Sequence, residues 1–194
     1  MIDRVIGIDP SWDCSGIGTI GNDGMQMTRV PVGALSGKKS GLDVEEDLYH
    51  IQVMASRTFQ TARDLCHPGE HVLWIFEGPS MGSVFGRPDE RAGIRWAIAN
   101  AARTQLAARI AYVPPSSLKK YWTGDGLAKK DKMVGYTAAR YPELLIPDHN
   151  ANDGFALAHM GATYLDLIPM SSPPMVTLSS LEKVRWPSHI AGGM

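Results

Sequence analysis

The stretch VIGIDPSWDCSGIGTI, residues 5–20, brings an apolar run to its end on a carboxylate, Asp9, and follows it with a second run punctuated by glycines. A short apolar run closed by proline, as in RVIGIDP (4–10), reads as a buried strand. SGIGTIG (15–21) reads as a second strand entered by a turn, and GMQMTRVPVG (24–33) alternates as a third. Pro31 sets that third strand at an edge or near its end. The Asn-Asp-Gly between the second and third is a hairpin signal. The opening is therefore an antiparallel meander, and it raises the question of what a carboxylate does at the end of a buried strand.

Further along, LDVEEDLYHIQVMASRTFQTARDL (42–65) places apolar residues at helical spacing with acids near its start, where they suit the helix dipole. HVLWIFEGP (71–79) is a β-prone strand that also ends on an acid, Glu77. PDERAGIRWAIANAARTQLAARI (88–110) reads as a long helix, and IAYVPP (110–115) as a short strand stopped by two prolines. SSLKKYWTG, KKDKMVGYTAARY and NANDGFALAHMGATYLDLI (150–168) read as three further helices. Strands first, then strands alternating with helices, predict an α/β layered fold with a mixed sheet. The run IPMSSPPM (168–175) is a proline- and serine-rich linker signal, so the expected organisation is one domain over 1–168 and a linker with a short tail over 169–194.

The chain has 194 residues, enough for one domain with a sizeable core. A formal charge of −1 gives no global field for nucleic acid, so any such binding must rest on a local basic patch. Cys14 and Cys66 form no CxxC pair, which fits a reducing, cytoplasmic setting, the host cytoplasm if the chain is viral. No apolar run approaches a membrane span, and no membrane partner is expected.

Asp9 and Glu77 both end strands, and the first and fourth strands of such a sheet can be neighbours. Asp153 lies near the start of the last helix. Each alone is a turn residue, a solvated loop acid or a helix-dipole charge. Together, with no buried lysine beside them in sequence, they form a hard-oxygen set suited to Mg²⁺ or Mn²⁺. Two such ions about 4 Å apart activate water and stabilise a leaving oxygen in phosphodiester cleavage.

IGIDPSWDCSGIG, WIFEGP, VPPSSLKKYWTGDGLAKKDKM and NDGFALA, in that order, resemble the motifs of RuvC-type Holliday-junction resolvases, members of the RNase H-like fold. The style is that of the smaller, divergent viral and phage versions. The resemblance spans roughly residues 4–165. It departs from the family pattern at Ser11, where glycine is usual, and at Gly154 and Phe155. It implies an RNase H-like mixed five-stranded sheet flanked by helices. It also implies a homodimeric, Mg²⁺-dependent endonuclease acting on branched DNA, with two ions per site and products bearing 5′-phosphate and 3′-hydroxyl. Asp9, Glu77 and Asp153 match three of its metal-binding acids. The fourth position is Asn150, a neutral and weaker ligand, with Asp148 and His149 as substitutes. Lys130 matches the lysine of the family's glycine-rich loop and is assigned to the scissile or adjacent phosphate. Lys119 matches an earlier lysine expected on the DNA backbone.

Lys119, Lys120, Lys129, Lys130 and Lys132 cluster around TGDG, a loop whose glycines allow close approach to phosphate. The alternative is a solvated helix face. Arg87, Arg91 and Arg95 recur every four residues, either as a DNA-backbone rail or as a solvent face paired with Asp89 and Glu90. Phe85, in the loop GPSMGSVFGRP (78–88), is a lid or a wedge that stacks on an unpaired base. Trp74, Trp96, Tyr112, Trp122 and Tyr164 are expected in or beside the core. The histidines show no catalytic spacing.

Three readings follow. The first is a two-metal, structure-selective endonuclease. The second is a junction-binding DNA module with weak catalysis, motivated by Asn150, Ser11 and the near-neutral charge. The third, within the same fold, is an RNase H-like hybrid ribonuclease. An actin-like phosphotransferase shares the look of IGIDPS and SGIGTIG, but the chain is too short for two lobes.

Overall fold

Three strands, β1 (Arg4–Asp9), β2 (Cys14–Gly21) and β3 (Gly24–Pro31), form the expected antiparallel meander. β4 (Val72–Glu77) lies parallel to β1 on its other side, and β5 (Arg109–Val113) parallel to β4. The sheet order is β3-β2-β1-β4-β5. This is a mixed five-stranded sheet in a computed structural model that describes residues 1–33, 43–79, 87–168 and 178–188.

Helices cover both faces. α1 (Val44–Asp64) and α2 (Pro88–Leu106) pack on one side, with Ile6, Ile8, Trp74, Phe76, Ile94 and Ile98 buried between. α3 (Pro115–Thr123), α4 (Lys130–Arg140) and α5 (His149–Tyr164) pack on the other, over Leu73, Ile75, Trp122, Phe155 and Leu157. The local reasons are legible. Asp43 caps α1 by accepting from the Glu45 N–H at 2.9 Å, and three acids fill its first turn. Pro115 opens α3, and Gly124, at φ 77°, closes it. The second helix is shorter than its periodicity predicts, ending at Leu106. Ala107 turns left-handed there, and the chain re-enters the sheet at Arg109.

The arrangement turns on α5. Gly7, Gly16 and Gly18 share one face of the β1–β2 pair, where Gly7 sits opposite Gly18 and Asp9 opposite Gly16. A Cβ at Gly16 would overlap the Asn150 carbonyl, and one at Gly18 would overlap the Phe155 backbone. A Cβ at Gly7 would overlap the Gly154 carbonyl. Glycine inside a strand marks a close backbone approach, and here it lets α5 lie directly on the sheet. Across this helix His159 is buried with both ring nitrogens held by tyrosines, Tyr121 Oη at 2.7 Å and Tyr141 Oη at 2.6 Å. Burial holds its pKa down at about 4, so it is neutral.

The described part of the tail packs on the domain. α6 (Leu178–Leu181) leads into Val184, which is buried with Leu181. Arg185 bridges the edge strand at Tyr112, and Trp186 stacks on Tyr164 at 3.9 Å. Among the described residues, no helix is long and apolar enough to cross a membrane.

The glycine face makes a direct prediction. Gly16→Ala forces α5 away from β2 and costs about 2–3 kcal/mol in urea denaturation. Gly135→Ala, in the exposed middle of α4 with open space around it, gains about 0.5–1 kcal/mol. Equal effects at the two positions would contradict this account of the packing.

Candidate functional site

Side chains alternate along strands, so Val5, Gly7 and Asp9 share one face of β1, and Leu73, Ile75 and Glu77 share the same face of β4. The parallel register pairs Ile8 with Phe76, so Asp9 and Glu77 are neighbours one step further on. α5 rests on that face and carries Asp153 in its second turn. The three acids line one cavity of about 470 Å³ at the C-terminal ends of β1 and β4.

Charge dominates this cavity. Burial pushes the Asp9 carboxyl well above the usual range, and the nearby Glu77 charge pushes it further. Burial and then Asp153 raise Glu77. Asp153 is raised to about 7, first by burial and then by Asp9. Asp9 Oδ1 is buried with no hydrogen-bond partner. Lys130 and Lys119 line the same cavity and partly offset the repulsion. Lys130 is the first residue of α4, whose free N–H groups also favour an anion.

Hydrogen bonds distinguish the three candidates for the fourth position. Asn150 lines the cavity and donates through Nδ2 to the Cys14 carbonyl at 2.6 Å, which leaves Oδ1 as the atom for any ligand. Asp148 is engaged as the α5 cap, accepting from the Ala151 N–H at 2.8 Å and from the Cys14 thiol at 3.5 Å. His149 is exposed, outside the cavity lining. Among the described residues no three His, Cys, Asp or Glu side chains are drawn into a ready-made metal cluster. The acids instead approach one cavity from separate walls.

The arginine stripe resolves into three different placements. Arg87 caps α2 with a left-handed backbone, φ 57°, and lays its guanidinium over the Trp12 ring at 4.4 Å. Arg91 points into the acids, with Nη2 3.7 Å from Asp9 Oδ1 and 3.5 Å from Glu77 Oε2. Arg95 is buried, 7% exposed, beside Tyr112, so it does not extend a solvent-facing rail. The acids are thus not free of nearby cations, as their sequence context predicts; Arg91 reaches them from a helix. Lys120 and Lys129 are exposed beyond the cavity lining, and Lys132 is paired with Asp125 at 3.1 Å. Phe85 lies outside the described residues. Trp96, expected in or beside the core, is 56% exposed on α2.

Trp12 escaped the sequence reading. It lines the cavity, stacks on His50 at 3.6 Å, and its carbonyl is held by His50 Nε2 at 2.8 Å. The signal was an aromatic three residues beyond Asp9 in a turn otherwise built of polar residues.

No protein-family model matches the sequence, and no curated protein matches it. Solved structures do. The structure of Thermus thermophilus RuvC superposes with a TM-score of 0.58 at 18% identity, covering 84% of this chain and 96% of that one. T. thermophilus RuvC in complex with Holliday junction substrate superposes with a TM-score of 0.60 at 13% identity, covering 85% and 96%. The chain has a RuvC-like fold. At these identities the likeness is one of fold, and the RuvC-like strand order is the order that sets Asp9 beside Glu77.

The raised Asp153 carboxyl has a thermodynamic consequence. Its folded value of about 7 exceeds the unfolded value near 4, so between them the folded chain binds the extra proton. Metal-free protein therefore loses stability as pH rises from about 4 to about 7, and bears the full cost above that. Asp153→Asn should match wild type in urea unfolding with EDTA at pH 4 and exceed it at pH 8, by on the order of 2–4 kcal/mol. A constant difference across that range would remove the charge explanation.

Proposed function

We propose that the protein is a metal-dependent endonuclease that resolves Holliday junctions or related branched DNA. One observation carries the reading: the buried Asp9, the half-buried Glu77 and Asp153, and two lysines line one cavity at the ends of adjacent parallel strands. Unopposed, this acid set is costly. Asp9 Oδ1, which has no hydrogen-bond partner, and the all-oxygen donor set fit Mg²⁺ or Mn²⁺. Asp9, Glu77, Asp153 and the Asn150 Oδ1 would together hold the ions. Such ions supply an activated water and charge stabilisation at the leaving oxygen.

The chain's own residues bind and orient the strand. Lys130 and the α4 N-terminus face the phosphate next to the cut, and Lys119 grips the backbone from α3. Lys120, Lys129 and Lys132 extend the basic surface beyond the cavity, and Arg87 borders its Trp12 wall. Phe85 is assigned to an unpaired base at the branch point. A homodimer would present two such sites to two strands of a four-way junction.

Asn150 favours a second reading, a junction-binding module of weak catalytic power, because an amide gives a cation no charge. Cleavage of end-labelled four-way junction, flap, duplex and RNA–DNA hybrid, in Mg²⁺ and in Mn²⁺, separates the readings. Paired nicks in branched DNA are expected. Asp9→Asn should reduce them by more than about 100-fold, since even outer-shell partners of a metal ligand are worth that much. Junction binding should stay intact or tighten, because a negative charge facing phosphate is lost. Cleavage confined to the hybrid would make the protein a ribonuclease. Tight binding with no cut in either metal would make it the binding module.

A further inference from the structure

We propose that Arg91 is a built-in counter-ion of the carboxylate pair, competing with the divalent cation for Asp9 and Glu77 and swinging to DNA phosphate once displaced. The inference rests on the metal-nuclease reading above and concerns what that site does before DNA arrives.

Three observations carry it. Arg91 Nη2 lies 3.7 Å from Asp9 Oδ1 and 3.5 Å from Glu77 Oε2, the oxygens a metal would take. These separations are longer than charge-assisted hydrogen bonds, so the guanidinium neutralises the acids without being locked to them. Among the described residues, its side chain makes one hydrogen bond, 3.3 Å from Nε to the Pro10 carbonyl. The Arg91 side chain is 39% exposed, whereas those of Asp9 and Glu77 are 7% and 14% exposed. The acids are fixed and the arginine has room to leave.

The physics of displacement is direct. Mg²⁺ binds oxygen at about 2.1 Å, and two cations cannot share those oxygens without strong repulsion. Arg91 cannot retreat inward, because the buried Arg95 lies one turn behind it on α2. The exposed side of the guanidinium is open to solvent, and Arg87, Lys119 and Lys130 line the same cavity, where a phosphate would pass. A metal ion arriving with DNA is then favoured over one arriving alone, since phosphate gives the displaced guanidinium a new partner. Arg91 is thereby a positioning residue that couples metal loading to substrate.

The test is calorimetric titration of Mn²⁺ into the full-length, DNA-free protein as wild type, Arg91→Gln and Arg91→Lys. Arg103→Gln, an exposed position further along α2, controls for net charge. Arg91→Gln should bind Mn²⁺ about tenfold more tightly, the scale of one lost, partly screened repulsion at this range. Its thermal midpoint in EDTA at pH 8 should fall below that of wild type, because the acids lose their counter-charge. Arg91→Lys should stay near wild type on both readouts, and Arg103→Gln should change neither. Equal or weaker Mn²⁺ binding by Arg91→Gln overturns the counter-ion role while leaving the metal site standing. Failure of every protein to bind Mn²⁺ overturns both the inference and the metal-nuclease reading beneath it.

Discussion

The close approach of α5 to the β1–β2 face is the constraint on which the rest depends. Three positions without a Cβ, Gly7, Gly16 and Gly18, let the helix backbone settle against the sheet. Any larger residue there would overlap the α5 backbone and push the helix off the sheet, moving Asp153 relative to the cavity that Asp9 and Glu77 enter from the strand ends. The same contact seals the core through Phe155, Leu157 and the tyrosine-bound His159. Packing and chemistry therefore share one interface, and a change in glycine content at β2 is felt in both.

Around that interface the protein concentrates like charge in a way a fold alone would not favour. Three carboxylates meet there, Asp9 buried and Glu77 and Asp153 half-buried, each raised by desolvation and by another of the set. Structural acids elsewhere in the chain behave differently. Asp23 is held low by His67 and then by the buried Arg4, and Glu70 by Arg4, which pairs with each acid at 2.8 Å. That contrast separates an acid that serves stability from one held against it. Perturbed carboxylates in a concave site that cations also line are the pattern expected where a charged ligand completes the site.

Much of this was legible in the sequence, for identifiable reasons. The meander showed in the alternation and the Asn-Asp-Gly turn, and the parallel strand showed in the run before Glu77. Asp9 and Glu77 were readable because a strand that ends on an acid is costly without a partner. The arginines were not. Spacing of four places Arg87, Arg91 and Arg95 on one helical stripe, but it cannot say which neighbour the stripe faces. The start of α2 lies against the strand ends, so the stripe runs from the Trp12 wall through the acids into the interior beside Tyr112. Trp96 failed for the converse reason, since its position on α2 faces outward beside the edge strand. The lack of catalytic spacing among the histidines was readable, but not the two tyrosines that satisfy His159, because they arrive from α3 and from the residue after α4.

Asn150 shows how a departure from a family pattern can have a physical rationale. Its amide nitrogen meets the Cys14 carbonyl at 2.6 Å, and Gly16 beside it leaves space for the Asn150 backbone. An aspartate in the same rotamer would set a carboxylate oxygen against that carbonyl and add a fourth negative charge to a cluster already raised. The amide avoids both costs, ties the start of α5 to β2, and keeps one oxygen on the cavity side. The same exchange lowers the attraction of the site for cations. On the proposed reading, a site with one charge fewer and an arginine resting on two of its acids would hold metal weakly until phosphate supplies the missing partner. Near-neutral overall charge fits such a design, because the field that matters is local and is assembled only where the strand ends, α4 and the start of α2 meet.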